Sequence, residues 1–246
     1  MNYTILQTAV FLGLTFLFLL IFIFKSENLL LNIIYFACVI ISQILFVYYS
    51  TSSLCGSPQT SAIFIWGIIP WVFIFITMTV VIKTFPGWKA PFSNTIGYLV
   101  TMLLGVNNTF TSLLKPQRKS KDPGLNKILE EIYEDKSILI NEFTPTNFDV
   151  AIKKLQPLFD TSNPNFQSNL SYLKQIVKIK DEISRAIWYI LTGLLTISVS
   201  NMGVASTKCK KTPQQIKKEL EEYHENESKH HKQSKQDKSS KYFVRD

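Results

Sequence analysis

The side chains best suited to chemistry are few: three cysteines at 38, 55 and 209, and three histidines at 224, 230 and 231. A pair of thiols supplies a disulfide, and histidines supply metal ligands or a general base. All three histidines fall in a C-terminal stretch rich in Lys, Gln and Ser, where nothing in the pattern would hold them in a fixed geometry. No metal site is expected at His230 and His231. The chain also has no phosphate-binding Gly loop, HExxH, GxSxG or CxxC, and no nucleophile, base and orienting group can be assembled near one another. The expectation is a protein with no catalytic residues, no cofactor and no small-molecule substrate. Cys38 lies inside an apolar run and reads as a small apolar filler. Cys55 and Cys209 lie just outside such runs, so their pairing depends on which ends of those runs share a face.

Those runs define the class. Ile5 to Phe24 is an uncharged stretch ending at Lys25, and at about 1.5 Å per residue it matches a hydrocarbon core of roughly 30 Å. It lacks a basic leader and an Ala-x-Ala site, so it is expected to stay in the mature chain. Lys25 to Asn28 leaves room only for a tight connection to Leu29–Tyr49, and Ala62–Ile82 follows with Pro70 inside it. That proline is expected to kink its helix. Ile187–Ala205 is the last run, bounded by Arg185 and Lys208, with Trp188 and Tyr189 where an aromatic belt would sit. Thr192, Thr196 and Ser200 follow at intervals of four, a spacing that favours close helix packing. The fold class is therefore all-α: a polytopic membrane protein of about four transmembrane helices, with a three-span region at 1–84 and a C-terminal span at 186–206. Spans one to three contain no Asp, Glu, Lys, Arg or His, so the usual groups of ion-coupled transport are missing from them.

Residues 85–114 are harder to place. Pro86-Gly87 and Pro91 break any helix continuing from span three, and only Ile96 to Val106 is strongly apolar, about 16 Å as a helix. Such a run is re-entrant or interfacial more often than spanning, with a marginal fourth span as the alternative. Charge bias separates the two. If the segment does not cross, twelve Lys and Arg flank the apolar ends on one face against five on the other; if it crosses, the tally is eight against nine. The bias favours a re-entrant segment with the basic face cytosolic. In that topology Cys55 and Cys209 lie on one face and can pair; in the crossing topology they cannot. Trp88 and Phe92 then read as interfacial anchors or protein contacts.

Residues 115–185 carry helical patterning. Asp122-Pro123 is a helix start, with Leu125, Ile128, Leu129 and Ile132 on one stripe. Thr146 to Asp149 resembles a capping box ahead of Phe148, Ala151, Ile152 and Leu155, and Pro157 should end that helix. A third helix from about Asn165 has no Gly or Pro before Arg185 and runs on toward the last span. About 70 residues make a small core, so a partner surface or the membrane is expected to complete it. The tail, 207–246, has eleven basic residues against seven acidic ones and is expected to be largely disordered beyond a helical start at Pro213 to Tyr223. Its balance suits anionic lipid or nucleic acid.

Two blocks carry a family resemblance: Pro86 to Tyr98 (PGWKAPFSNTIGY) and Ile187 to Ser200 (IWYILTGLLTISVS). They resemble segments of a membrane protein of large icosahedral double-stranded DNA viruses, of the chlorella-virus and mimivirus-like kind. The likeness weakens over the middle region and is absent from the Lys-rich tail. After Ser200 the family pattern is aromatic-Asn-aromatic leading to a Cys, whereas this chain has Asn201-Met202-Gly203 and then Cys209. The resemblance implies a structural virion protein, a minor capsid or inner-membrane component that anchors the capsid shell to the underlying lipid. Its partners would be the lipid bilayer, major and other minor capsid proteins, and genomic DNA or anionic lipid through the tail. It would reside in the host endoplasmic reticulum membrane during assembly and in the virion inner membrane thereafter. Composition alone also admits a channel or a membrane-remodelling protein.

Overall fold

Inside a bilayer a single chain segment can satisfy its backbone polar groups only as a helix. The computed structural model describes residues 3–25, 29–116, 123–209 and 216–227, and among these four helices are long and apolar enough to cross a membrane. Helix α1 is Tyr3–Phe24, α2 is Leu29–Cys55 and α3 is Thr60–Thr84. The fourth, Phe166–Ala205, is a single helix of 40 residues. The protein is an all-α polytopic membrane protein. The expected tight connection after α1 includes residues 26–28, which lie outside the described residues.

Pro70 acts on α3 through the amide hydrogen it lacks. The helix continues past it as a π-turn at Trp71–Ile76, which absorbs the missing bond. Trp71 and Phe75 leave that turn on the same side and are both buried against Phe11 of α1, with ring centroids 5.7 and 5.9 Å away. Around them Phe18, Phe22, Tyr35, Val39, Tyr189 and Ile197 complete the core of the spans. Polar residues tie the same helices together: Gln7 Nε2 donates to Gln43 Oε1 at 2.6 Å, and Thr15 and Tyr35 share a hydrogen bond of 3.0 Å. Such bonds join membrane helices where no aqueous partner competes.

After α3 the chain forms α4, residues 86–103, a continuous helical path with a 3-10 turn at Pro86–Lys89 and a π-turn at Ser93–Gly97. Gly105, at φ 78°, separates it from α5, Val106–Leu113. Then come α6 at Pro123–Glu134, α7 at Ser137–Ile140, α8 at Phe148–Lys154 and α9, the long helix. Among the described residues the extended backbone contributes one isolated antiparallel bridge, Leu114 with Phe159.

A second core fills the extramembrane bundle, and it begins earlier than residue 115. Val106, Phe110 and Leu113 lie on one face of α5 and are buried with Leu129, Ile132, Ile140, Phe143, Phe148, Phe159, Leu173 and Ile176. The expected 115–185 boundary therefore cuts through a packed unit. Ile128, expected on the buried stripe, is exposed, while Leu129 and Ile132 take the core positions. The capping box also differs from expectation. The side chain of Asn147 folds back, accepting from the amide of Thr144 at 2.8 Å and donating to Glu142 O at 2.8 Å, so it secures the preceding turn and leaves α8 without a side-chain cap.

Candidate functional site at the membrane boundary

The site is organised by α9, whose two halves differ in chemistry. Residues 186–205 are apolar and pack among the spans; residues 166–185 carry Lys174, Lys178, Lys180, Asp181, Glu182 and Arg185 and form the spine of the bundle. Because no Gly or Pro interrupts residues 166–192, the helix crosses the boundary without a hinge.

In the apolar half, Thr192, Thr196 and Ser200 are all buried. Thr196 Oγ1 donates to Thr192 O at 2.8 Å within its own helix, so its contribution to packing is smallness and not a bond between helices. Two glycines on the same seam set the closest approaches. A Cβ at Gly193 would fall 2.0 Å from the ring of Phe11, and one at Gly203 would fall 2.1 Å from the ring of Trp66. Both carry a sequence signal, since they lie on the small-residue stripe, although outside the four-residue interval of its hydroxyls. At the far end Cys55 and Cys209 are joined by a disulfide with Cα atoms 5.3 Å apart, fastening the C-terminus of α2 to the end of α9. Cys38 is a free thiol within α2.

At the opposite end the aromatic residues divide. Trp88, Phe92 and Trp188 meet: Trp188 Nε1 donates to Trp88 O at 2.9 Å, and the Phe92 ring meets Trp188 edge-on at 5.3 Å. Tyr189 does not join them. One residue further along a helix is a rotation of about 100°, which turns Tyr189 inward to 4% exposure, stacked on Tyr35 at 5.5 Å. Its expected role in the aromatic belt gives way to one in the core of the spans.

Helix α4 runs antiparallel to the charged half of α9. Trp88 pairs with Trp188, Ser184 Oγ donates to Lys89 O at 3.1 Å, Gly97 lies against Lys180, and Tyr172 Oη donates to Leu104 O at 2.9 Å. A hairpin dipping into the bilayer would pack on the apolar half instead. Of the expectations for 85–114, a re-entrant hairpin does not fit this packing, because α4 runs along the charged half of α9 for about 24 Å. Its outer face is apolar and unusually open, with Ile96, Leu99 and Met102 exposed and Leu103 at 87% exposure just before Gly105.

Charged groups concentrate where the bundle meets the spans. Lys89 pairs with Asp181 at 2.6 Å, and Arg185 pairs with Glu182 while lying over the Phe22 ring at 4.5 Å. Lys178 Nζ donates to Ile23 O at 3.1 Å and Lys25 O at 2.8 Å, placing a cation at the negative end of the α1 dipole. Lys180 is buried and donates to Ile140 O at 2.8 Å. Burial pushes its ammonium down to about 8, against the attraction of Asp181 and Glu142. His224 lies on the exposed helix 216–227, within 3.8 Å of Glu227, while His230 and His231 and the rest of the tail lie outside the described residues. Comparison with protein-family models, with curated proteins and with solved structures found no match to this chain.

Proposed function

We propose that the protein is a structural component of a virion, an inner-membrane or minor capsid protein that holds the capsid shell to the lipid beneath it. The observation that carries this reading is α9: one uninterrupted helix serves both as the spine of the bundle and as a membrane span. A load applied to the bundle is passed to the bilayer without a flexible joint. The exposed apolar face of α4, tipped by Met102 and Leu103, supplies a surface for a capsid subunit, major or minor, at a fixed height above the membrane. The family resemblance of the α4 and α9 blocks is the reason for proposing a capsid subunit as that partner. The Lys-rich tail leaves from the opposite face, where genomic DNA or anionic lipid would meet it.

The test uses particles whose membrane is stripped with a mild non-ionic detergent. The chain is expected to sediment with the capsid shells, and Leu103→Asp is expected to release it by about tenfold while membrane insertion is unchanged. Ion flux from the purified chain in liposomes, with no association with shells, would overturn the structural reading in favour of a channel.

A further inference from the structure

The helix at 216–227 belongs to neither core, and every one of its residues is exposed. Its only large apolar side chains are Ile216, Leu220 and Tyr223, each more than half exposed. At intervals of four and three they fall within an arc of about 60° on one side of the helix. The remaining positions are charged or polar. A helix of this length is marginal in water by itself, and an apolar stripe on it is stabilised only when a surface covers it.

Position and charge select the surface. The span formed by α9 ends at Ala205, and the disulfide to Cys55 holds Cys209 beside the end of α2, so Cys209 is fixed at the membrane face. Residues 210–215 span at most about 25 Å when fully extended, so the helix starts within that distance of Cys209. A tether this short keeps the bilayer at high effective concentration. A second copy fits less well. The spacing of Ile216, Leu220 and Tyr223 also matches a coiled-coil seam, but Glu227 takes the next seam position, well short of the three to four heptads that mark such a coil. Five glutamates against two lysines give residues 216–227 a formal charge of −3, so two copies would repel each other. The same charge repels anionic lipid and sets this helix apart from the basic remainder of the tail. We infer that helix 216–227 lies in the headgroup layer of the leaflet next to the disulfide, with Ile216, Leu220 and Tyr223 turned toward the acyl chains, and that it prefers zwitterionic to anionic lipid. The chain beyond residue 227 then departs from the bilayer surface. This placement does not depend on the capsid partner.

Spin labelling of the full chain in phosphatidylcholine vesicles tests it. A nitroxide attached through a keto amino acid in place of Leu220, or of Lys218 about 200° away around the helix, leaves the three cysteines untouched. Collision with a water-soluble nickel chelate is expected to be about fivefold lower at position 220 than at position 218, and collision with oxygen higher. Ile216→Gln with Tyr223→Gln should raise nickel access at position 220 to the level of position 218. Replacing part of the lipid with phosphatidylglycerol should move it in the same direction. If the double variant disturbs the helix itself, the contrast between the two positions in the otherwise native chain still decides. Equal nickel access at the two positions overturns the inference. Protection at position 220 that comes with dipolar broadening, and fades on dilution with unlabelled chain, would assign the face to a second copy and overturn the lipid reading. Protection that deepens with phosphatidylglycerol overturns the preference for zwitterionic lipid.

Discussion

Lys180 shows how a single residue joins the parts of the bundle. Its ammonium reaches from α9 to the carbonyl of Ile140 at 2.8 Å, so the end of α7 is held by one buried cation. Burial lowers its affinity for the proton relative to the unfolded chain, in which lysine titrates near 10.5. The folded state consequently binds fewer protons than the unfolded state between about pH 8 and 10.5, and stability rises with pH across that window. Below about pH 8 the cost of the buried charge is fully present. Comparison with Lys180→Met isolates this effect from other titrating groups. The wild-type chain should gain on the order of 2 kcal/mol over the variant between about pH 7 and 10, read from chemical denaturation in detergent. A constant difference between the two across that range would show that the group is not buried. In sequence Lys180 is one of several lysines on a helix and nothing marks it, because its burial comes from α4 and the 140–141 turn.

Among the elements, α9 was the most legible and α4 the least. A run without Gly or Pro from Asn165 to Arg185, followed by an apolar stretch, has the signature of a continuous helix, and the structure has one. Residues 85–114 contain Pro, Gly and polar residues in a pattern that fits no regular element, and their path depends on a contact that sequence alone does not specify. That contact is Gly97 against Lys180: a Cβ at position 97 would fall 2.8 Å from the Lys180 carbonyl oxygen, which is backbone and cannot swing aside. Gly97→Ala should force α4 away from α9 and destabilise the bundle by about 1–3 kcal/mol. Gly13→Ala is the matched control, since a Cβ there meets nothing within 4 Å. It should be neutral or stabilising by up to about 1 kcal/mol through helix propensity. Thermal unfolding of both variants beside the wild type decides the matter; equal melting temperatures for Gly97→Ala and wild type would mean that α4 does not lie on α9. The small-residue seam was half legible in the same sense. Periodicity exposes which face of α9 is small, whereas the roles of Gly193 and Gly203 depend on the partner rings of Phe11 and Trp66.

At the scale of the whole molecule, two independent features orient the chain. Because α4 does not cross, the basic residues flanking α1, α3 and the charged half of α9 all share one face, and positive charge of this kind marks the cytosolic side. The disulfide between Cys55 and Cys209 lies at the other ends of α2 and α9, and disulfides persist on the oxidising side of a membrane. Charge and redox chemistry therefore predict the same orientation, with the bundle cytosolic and the disulfide lumenal. Two sequons read this directly, Asn169-Leu170-Ser171 in the bundle and Asn226-Glu227-Ser228 in the tail. The structure adds a reason why the first should stay bare, since Asn169 Nδ2 donates to Ser112 Oγ at 2.8 Å and a glycan on that nitrogen would break the packing of α9 on α5. Translation into microsomes should give one glycan, lost in Asn226→Gln and retained in Asn169→Gln. A glycan on Asn169 would invert the orientation, place the bundle in the lumen and remove the cytosolic surface on which a capsid subunit would dock.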